Sequence, residues 1–328
     1  MIIVTNNTEN ANKIMEQSKE AGLKDVFQHN NRIGFAHANN LDDVPFEIEA
    51  EEVITKHPAA IQASRLFHPE NTVIRTKHSV VGDGSFTKIA GPDSIESPEH
   101  VLKMGRAVKE AGGTMLRGGS FKPRTNPYTF QGNGETGLKA HRAAADALDM
   151  DMVTEIMDTR DIELVDKYTD IFQVGTRNMQ NFALLKALGK LRKPVILKRG
   201  MSATIDDLLN ASEYIAAGGN TQIMLMERGI RTFDNKYTRN TMDVSAIPVL
   251  KKLTHYPILA DSSHAAGVSD LVTPIGISAV AAGADGLMTE IHDHPEQAFV
   301  DGKQALTPEQ FKHLASLSDQ VHDLVKEV

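Results

Sequence analysis

The sequence predicts an α/β protein: a closed (β/α)8 TIM barrel preceded by a small α+β ferredoxin-like domain. Three observations lead there. From about Phe86 onward, short β-branched runs alternate with helical patterns of roughly ten to twenty residues, the mark of successive β-α units. The runs number eight: Thr87–Ala90, Gly113–Leu116, Met152–Ile156, Asp170–Val174, Pro194–Leu197, Gln222–Met226, Pro257–Ala260 and Gly286–Ile291. Eight units in roughly 240 residues fit a closed barrel. The rival, a doubly wound open sheet, lacks support because no Gly-x-Gly-x-x-Gly follows the first run.

Local signals justify the elements in turn. Residues 1–70 form the small domain, with a strand at Ile2–Val4, a helix over Glu9–Ala21, a short strand pair around Val26 and Ile33–Ala36, and a helix near Ile48–Lys56. Its sequence does not separate a regulatory ligand site from a cover for one barrel end or an oligomer contact. Residues 71–328 form the barrel, opened by a hairpin whose turn chemistry is read in Val80-Val-Gly-Asp-Gly-Ser-Phe and which is expected under the barrel floor. Ser97 is the expected N-cap of a helix over Pro98–Ala111. Thr204-Ile-Asp-Asp opens another, running to Ala217 and stopped by Gly218-Gly219. Gly283-Ala-Asp-Gly, before the last strand, is expected at the structural end of the barrel.

Composition narrows the function. A net charge of −8 argues against nucleic acid, so a basic cleft would serve a small anion against the overall field. No apolar run reaches the roughly 18 residues of a membrane span, and Met1-Ile-Ile-Val-Thr-Asn-Asn lacks a basic leader, so a cytoplasmic location is expected. The chain has no cysteine, which excludes disulfides, thiolate nucleophiles and cysteine-based zinc sites.

Catalytic groups of a β/α barrel sit where strands end, and here every strand end carries charge. In order come Asp93 and Glu96; Arg117, Lys122, Arg124 and Thr125; Glu155; Arg177 and Asn178; Lys198 and Arg199; Glu227 and Arg228; Asp261 and His264; Glu290 and His292. A lone arginine there is a surface ion pair. Six converging cations, Arg117, Lys122, Arg124, Arg177, Lys198 and Arg228, suit two phosphates and a carboxylate. Asp93, His264, Glu290 and Asp301 offer one nitrogen and three carboxylates, a set for Mn²⁺ or Mg²⁺; pairing of the acids with the basic cluster explains them equally well. His292 and His294 are read as rim residues.

These stretches resemble 3-deoxy-arabino-heptulosonate-7-phosphate (DAHP) synthase, in the group with an N-terminal ferredoxin-like domain. The resemblance rests on Leu116-Arg-Gly-Gly-Ser-Phe-Lys-Pro-Arg-Thr-Asn-Pro-Tyr-Thr-Phe-Gln-Gly, Gly175-Thr-Arg-Asn-Met-Gln-Asn, Leu197-Lys-Arg-Gly-Met and Glu227-Arg-Gly-Ile-Arg-Thr-Phe. It implies condensation of phosphoenolpyruvate with erythrose 4-phosphate at the head of the shikimate pathway, by a homo-oligomer, dimer or tetramer. It implies further that Arg117, Lys122, Arg177, Lys198 and Arg228 hold phosphoenolpyruvate and that Arg124 and Thr125 hold the aldose phosphate. Lys122, Glu155 through a water, and His264 are the candidates for proton transfer. The metal implied is divalent, Mn²⁺ by preference, on Asp93, His264, Glu290 and Asp301.

The departures matter as much. Asp93 stands where the family usually has cysteine, Ser262-Ser-His264-Ala-Ala-Gly replaces Pro-Ser-His-Ser-Gly-Gly, and Asp293 replaces a proline. Either a harder oxygen and nitrogen set retains the metal, or the enzyme works without one. Three other readings stay open: a relative making 3-deoxy-manno-octulosonate 8-phosphate, a Schiff-base aldolase using Lys198, and an impaired barrel kept as a sensor or partner.

Overall fold

The computed structural model describes residues 1–124 and 126–326; Thr125 therefore lies outside the described residues. The small domain comes first. Strand β1 (Ile2–Val4) is followed by a helix over Thr8–Glu20, capped by the Asn7 side chain on the Asn10 N–H, then by β2 (Val26–His29), β3 (Arg32–Phe35) and β4 (Glu52–Ile54). The sheet order is β2-β3-β1-β4, with every pairing antiparallel. This is the split β-α-β arrangement of a ferredoxin-like unit, with a single 3-10 turn at Leu41–Asp43 between β3 and β4.

The helix expected near Ile48–Lys56 is instead irregular chain leading into β4. Phe46, Ile48 and Ala50 alternate with acidic residues and pack, with Val53, against the core around Ile3, Ile14 and Phe35. Alternation with period two presents one apolar face only to an extended chain. The edge of β1 away from β3 pairs with Glu52–Ile54.

The hairpin β5 (Ile74–Arg75) and β6 (Val80–Val81) is present, but its turn is Thr76–Ser79, not the Gly-Asp-Gly stretch. Thr76 Oγ1 accepts from the Ser79 N–H at 3.1 Å and replaces glycine chemistry. Gly82-Asp-Gly84 leads the chain into the barrel. Gly82 has φ +92°, and a Cβ there would lie 2.3 Å from the Thr72 carbonyl, so only glycine fits.

The barrel strands are β7 (Thr87–Gly91), β8 (Met115–Arg117), β9 (Asp151–Ile156), β10 (Ile171–Val174), β11 (Val195–Lys198), β12 (Ile223–Glu227), β13 (Ile258–Asp261) and β14 (Gly286–Glu290). All pair in parallel, and β14 closes on β7 from Gly286↔Thr87 to Glu290↔Gly91. The helices Pro98–Glu110 and Ile205–Ala216 carry the Ser97 and Thr204 caps that the sequence announces.

Side-chain alternation along these strands builds two cores. Ile89, Met115, Val153, Ile171, Ile196, Met224, Met226, Leu259 and Met288 fill the barrel, joined from below by Ile74 and Val81 of the hairpin. Their neighbours, among them Leu116, Phe172, Leu197, Leu225 and Ala260, face the surrounding helices. The floor beneath is polar, and two of its acids are fully paired. Asp170 accepts from Arg142 at 2.5 Å and from the Met152 N–H at 2.7 Å, and Asp285 accepts from Lys251 at 2.6 Å and the Ile258 N–H at 2.7 Å. The small domain docks alongside through a stack of imidazoles, His29 on His68 at 3.6 Å and His68 on His255 at 3.9 Å.

Candidate active site

Strand alternation decides which strand-end residues enter the barrel mouth. Continuing each inward register by two residues past the apolar core gives Arg117, Glu155, Gln173, Lys198, Arg228, Asp261 and Glu290. Most of them line one cavity, open on one side, together with Asp93, Lys122, Arg124, Arg177, Arg239, His264 and Asp301. Arg199 and Glu227 fall on the other register. They face each other at 2.9 Å, with Asp243 2.8 Å from the same guanidinium nitrogen, and so brace the barrel wall without reaching the cavity.

The acidic half of the site is crowded. One ligand atom each of Asp93, His264 and Glu290 lies within 4.8 Å of the others. Asp93 Oδ2 is 2.6 Å from Lys122 Nζ, and Asp93 Oδ1 accepts from Arg117 at 3.3 Å. Burial opposes ionisation of Asp93, but Lys122 and Arg117 outweigh it and hold its carboxyl well below the usual range. Glu290 behaves oppositely: burial, and then the Asp93 charge, push its carboxyl well above the usual range. Its Oε2 accepts from Gln304 at 2.7 Å, while Oε1 has no hydrogen-bond partner and faces His264 Nε2 at 3.3 Å. Burial likewise raises the Glu155 carboxyl.

Asp261 organises the imidazole side. It caps the short helix Ser262–Ala266 by accepting the His264 N–H at 2.9 Å, and its Oδ2 takes both His264 Nδ1 at 2.7 Å and Lys198 Nζ at 2.6 Å. Burial opposes the charge on Asp261, and His264 and Lys198 together hold its carboxyl well below the usual range. With the proton of His264 held on Nδ1, the Nε2 lone pair points toward Glu290, the arrangement of a metal-binding histidine backed by a carboxylate. Such a donor set, with an orphaned carboxylate oxygen between Asp93 and His264, fits a divalent cation. Asp301 stands apart from this group: its carboxylate pairs with Arg239 at 2.7 Å on the cavity wall.

The basic half is left short of partners. Arg228 is 3% exposed, yet its Nε and Nη1 make no hydrogen bond; burial lowers its pKa from the ordinary value. Arg117 Nε is orphaned as well. Arg177 lies exposed at the lip, and Arg124 donates from Nε to Thr129 Oγ1 at 3.3 Å. Buried donors without acceptors cost about 1–3 kcal/mol each, more when charged, so the cavity is suited to receive an anion.

Three residues of this site escaped the sequence reading: Arg239, in a loop, Gln304, in the 3-10 turn Gly302–Gln304, and Gln173, an uncharged strand residue. Asp261 was visible as a strand end, though not as the shared anchor of Lys198 and His264. His292, expected on the rim, is 5% exposed and packs on His100 with ring centres 4.3 Å apart. The rim place belongs to His294, whose side chain is 59% exposed.

Comparison with known proteins decides the family. Residues 70–327 match the DAHP synthetase I family. The chain belongs to that family. The phospho-2-dehydro-3-deoxyheptonate aldolase of Thermotoga maritima is 50% identical over 260 residues, covering 79% of this chain and 77% of the relative. A solved structure of that DAHP synthase superposes with a TM-score of 0.81 at 42% identity, covering 99% of this chain and 97% of the other. A truncated form of the Thermotoga enzyme gives 0.76 at 46% identity, over 81% of this chain and 98% of that one. The 2-dehydro-3-deoxyphosphooctonate aldolase of Syntrophotalea carbinolica is more distant, 30% identical over 249 residues, covering 70% of this chain and 88% of the relative.

Proposed function

We infer that the protein is a 3-deoxy-7-phosphoheptulonate synthase. It joins phosphoenolpyruvate to erythrose 4-phosphate and releases phosphate, the first step of the shikimate pathway. The observation that carries this reading is Arg228, a buried guanidinium with two unpartnered nitrogens in a cavity lined by five further cations of the predicted set. Arg117, Lys122, Arg177, Lys198 and Arg228 hold the carboxylate and phosphate of phosphoenolpyruvate. Arg124 and Thr125 hold the aldose phosphate.

The chemistry then follows from position. Held against the aldehyde, C3 of phosphoenolpyruvate attacks the carbonyl carbon, and water adds at C2 to give a hemiketal phosphate that collapses. The cations stabilise the charge that develops. Glu155, its carboxyl raised by burial, orients the water, and Lys122 and His264, which line the same cavity, carry protons. A divalent ion, Mn²⁺ by preference, held by Asp93, His264 and Glu290 with Asp301 nearby, supplies Lewis acidity at the aldehyde oxygen when bound. Replacement of a thiolate by Asp93 suits the harder Mn²⁺ and Mg²⁺. The protein is read as cytoplasmic and homo-oligomeric, as a dimer or tetramer.

Phosphate release is to be measured with phosphoenolpyruvate and either erythrose 4-phosphate or a five-carbon aldose phosphate, the partner that an eight-carbon product requires. Turnover with the four-carbon sugar is expected, and turnover with the five-carbon sugar alone would transfer the protein to the octulosonate branch. Chelation is expected to abolish activity and Mn²⁺ to restore it. Full activity in protein shown metal-free by elemental analysis would remove the metal from this account.

A further inference from the structure

The closing seam of the barrel, where β14 meets β7, carries a second group of ligand-type side chains that the condensation does not use. Glu96 lies in the loop after β7, His100 in the first turn of helix Pro98–Glu110, and His292 two residues beyond β14. One ligand atom from each lies within 4.8 Å of the other two, and no residue is shared with Asp93, His264 and Glu290. We propose that Glu96, His100 and His292 form a second divalent-cation site, of the chemistry that takes Zn²⁺, which clamps the seam of the barrel.

Spacing is the first argument. His292 Nε2 stands 3.4 Å from Glu96 Oε2. Tetrahedral zinc with bonds of about 2.0–2.1 Å sets its ligands roughly 3.3–3.4 Å apart.

The second argument is the state of His100. Its two ring nitrogens are buried, and neither makes a directed hydrogen bond. Nε2 lies 3.1 Å from Asp293 Oδ1, and Lys103 fixes that carboxylate from its other oxygen at 2.6 Å. A carboxylate against one nitrogen of an imidazole leaves the other free to ligate, the usual support of a metal-binding histidine.

Glu96 extends the reach of the clamp. Its Oε1 accepts the Phe299 N–H at 2.8 Å, so an ion on the other oxygen ties the seam to the loop that carries Asp301. The site has one cost: His292 Nδ1 now accepts the His294 N–H at 3.0 Å. Ligation through Nε2 moves the ring proton to Nδ1 and gives up that bond.

The test counts zinc on the full chain after equilibration with excess Zn²⁺ and desalting. His100→Ala is expected to carry one zinc fewer than the wild type, His264→Ala to lose a different one, and the double variant to lose two. A wild-type count in His100→Ala overturns the proposal. Should that variant fail to fold, Asp293→Asn keeps all three ligands. A Co²⁺ titration is then expected to show about 10–100-fold weaker binding of one tetrahedral ion only. Unchanged binding, or the absence of a tetrahedral Co²⁺ spectrum in the wild type, also overturns it.

Discussion

The two ends of the barrel treat charge in opposite ways. At the floor, Asp170 holds Arg142 and the Met152 amide, and Asp285 holds Lys251 and the Ile258 amide. At the mouth, Arg228 and Arg117 keep nitrogens without acceptors, and Glu290 keeps an oxygen without a donor. The same contrast separates two arginines at adjacent strand ends. Arg199 is saturated by Glu227, Asp243 and the Ala203 carbonyl, whereas Arg228 is starved. Saturated charge stabilises a fold, and starved charge waits for a ligand.

Substitutions sharpen that contrast. Arg199→Ala strands the buried Glu227 and is expected to cost about 3–5 kcal/mol of stability in chemical denaturation, while the folded fraction keeps its KM values. Arg228→Ala is expected to do the reverse, losing about 10²–10³-fold in kcat/KM with little change in Tm. If both lost stability equally, the distinction between the two arginines would fail. Asp261→Asn frees Lys198 and His264 together and is expected to weaken Mn²⁺ binding about 10–100-fold, read by titration with the substrate absent.

A smaller effect tests the paired side. Burial lowers the pKa of His255, whose Nε2 donates to the Gln62 carbonyl at 2.7 Å, and that of His141, each to about 3. Unfolded imidazoles take up protons near pH 6.5, while these folded ones do not until about 3. Stability is therefore complete above about 6.5 and falls as the pH drops through that window, by about 1.4 kcal/mol per pH unit for each ring. His255→Gln is expected to flatten the slope of stability against pH between 6.5 and 5 by about that amount. An unchanged slope would show that His255 binds protons alike in the folded and unfolded states.

The barrel was legible because strands buried on both faces read as β-branched runs, whatever their neighbours do. The helix expected near Ile48–Lys56 does not form, because Phe46, Ile48 and Ala50 alternate and give one apolar face only to an extended chain. At the mouth, the residue types were legible and the pairings were not. That Lys198 and Asp261 meet, while Arg199 turns outward to Glu227, depends on the register between strands 63 and 28 residues apart in sequence. In retrospect the period of two separates Lys198 from Arg199 and Glu227 from Arg228. Nothing comparable marks Arg239 or Gln304, which owe their places to the path of the chain between the regular elements.

The absence of cysteine sets how this site meets oxidants. A thiolate beside a redox-prone metal climbs from sulfenic to sulfonic acid and loses its ligand character on the way. The carboxylate of Asp93 has no such ladder to climb, and its burial between Lys122 and Arg117 leaves peroxide nothing to attack at that position. Oxidative damage to this chain falls instead on its 13 methionines, and those that line the barrel, Met115, Met224, Met226 and Met288, are sealed inside it.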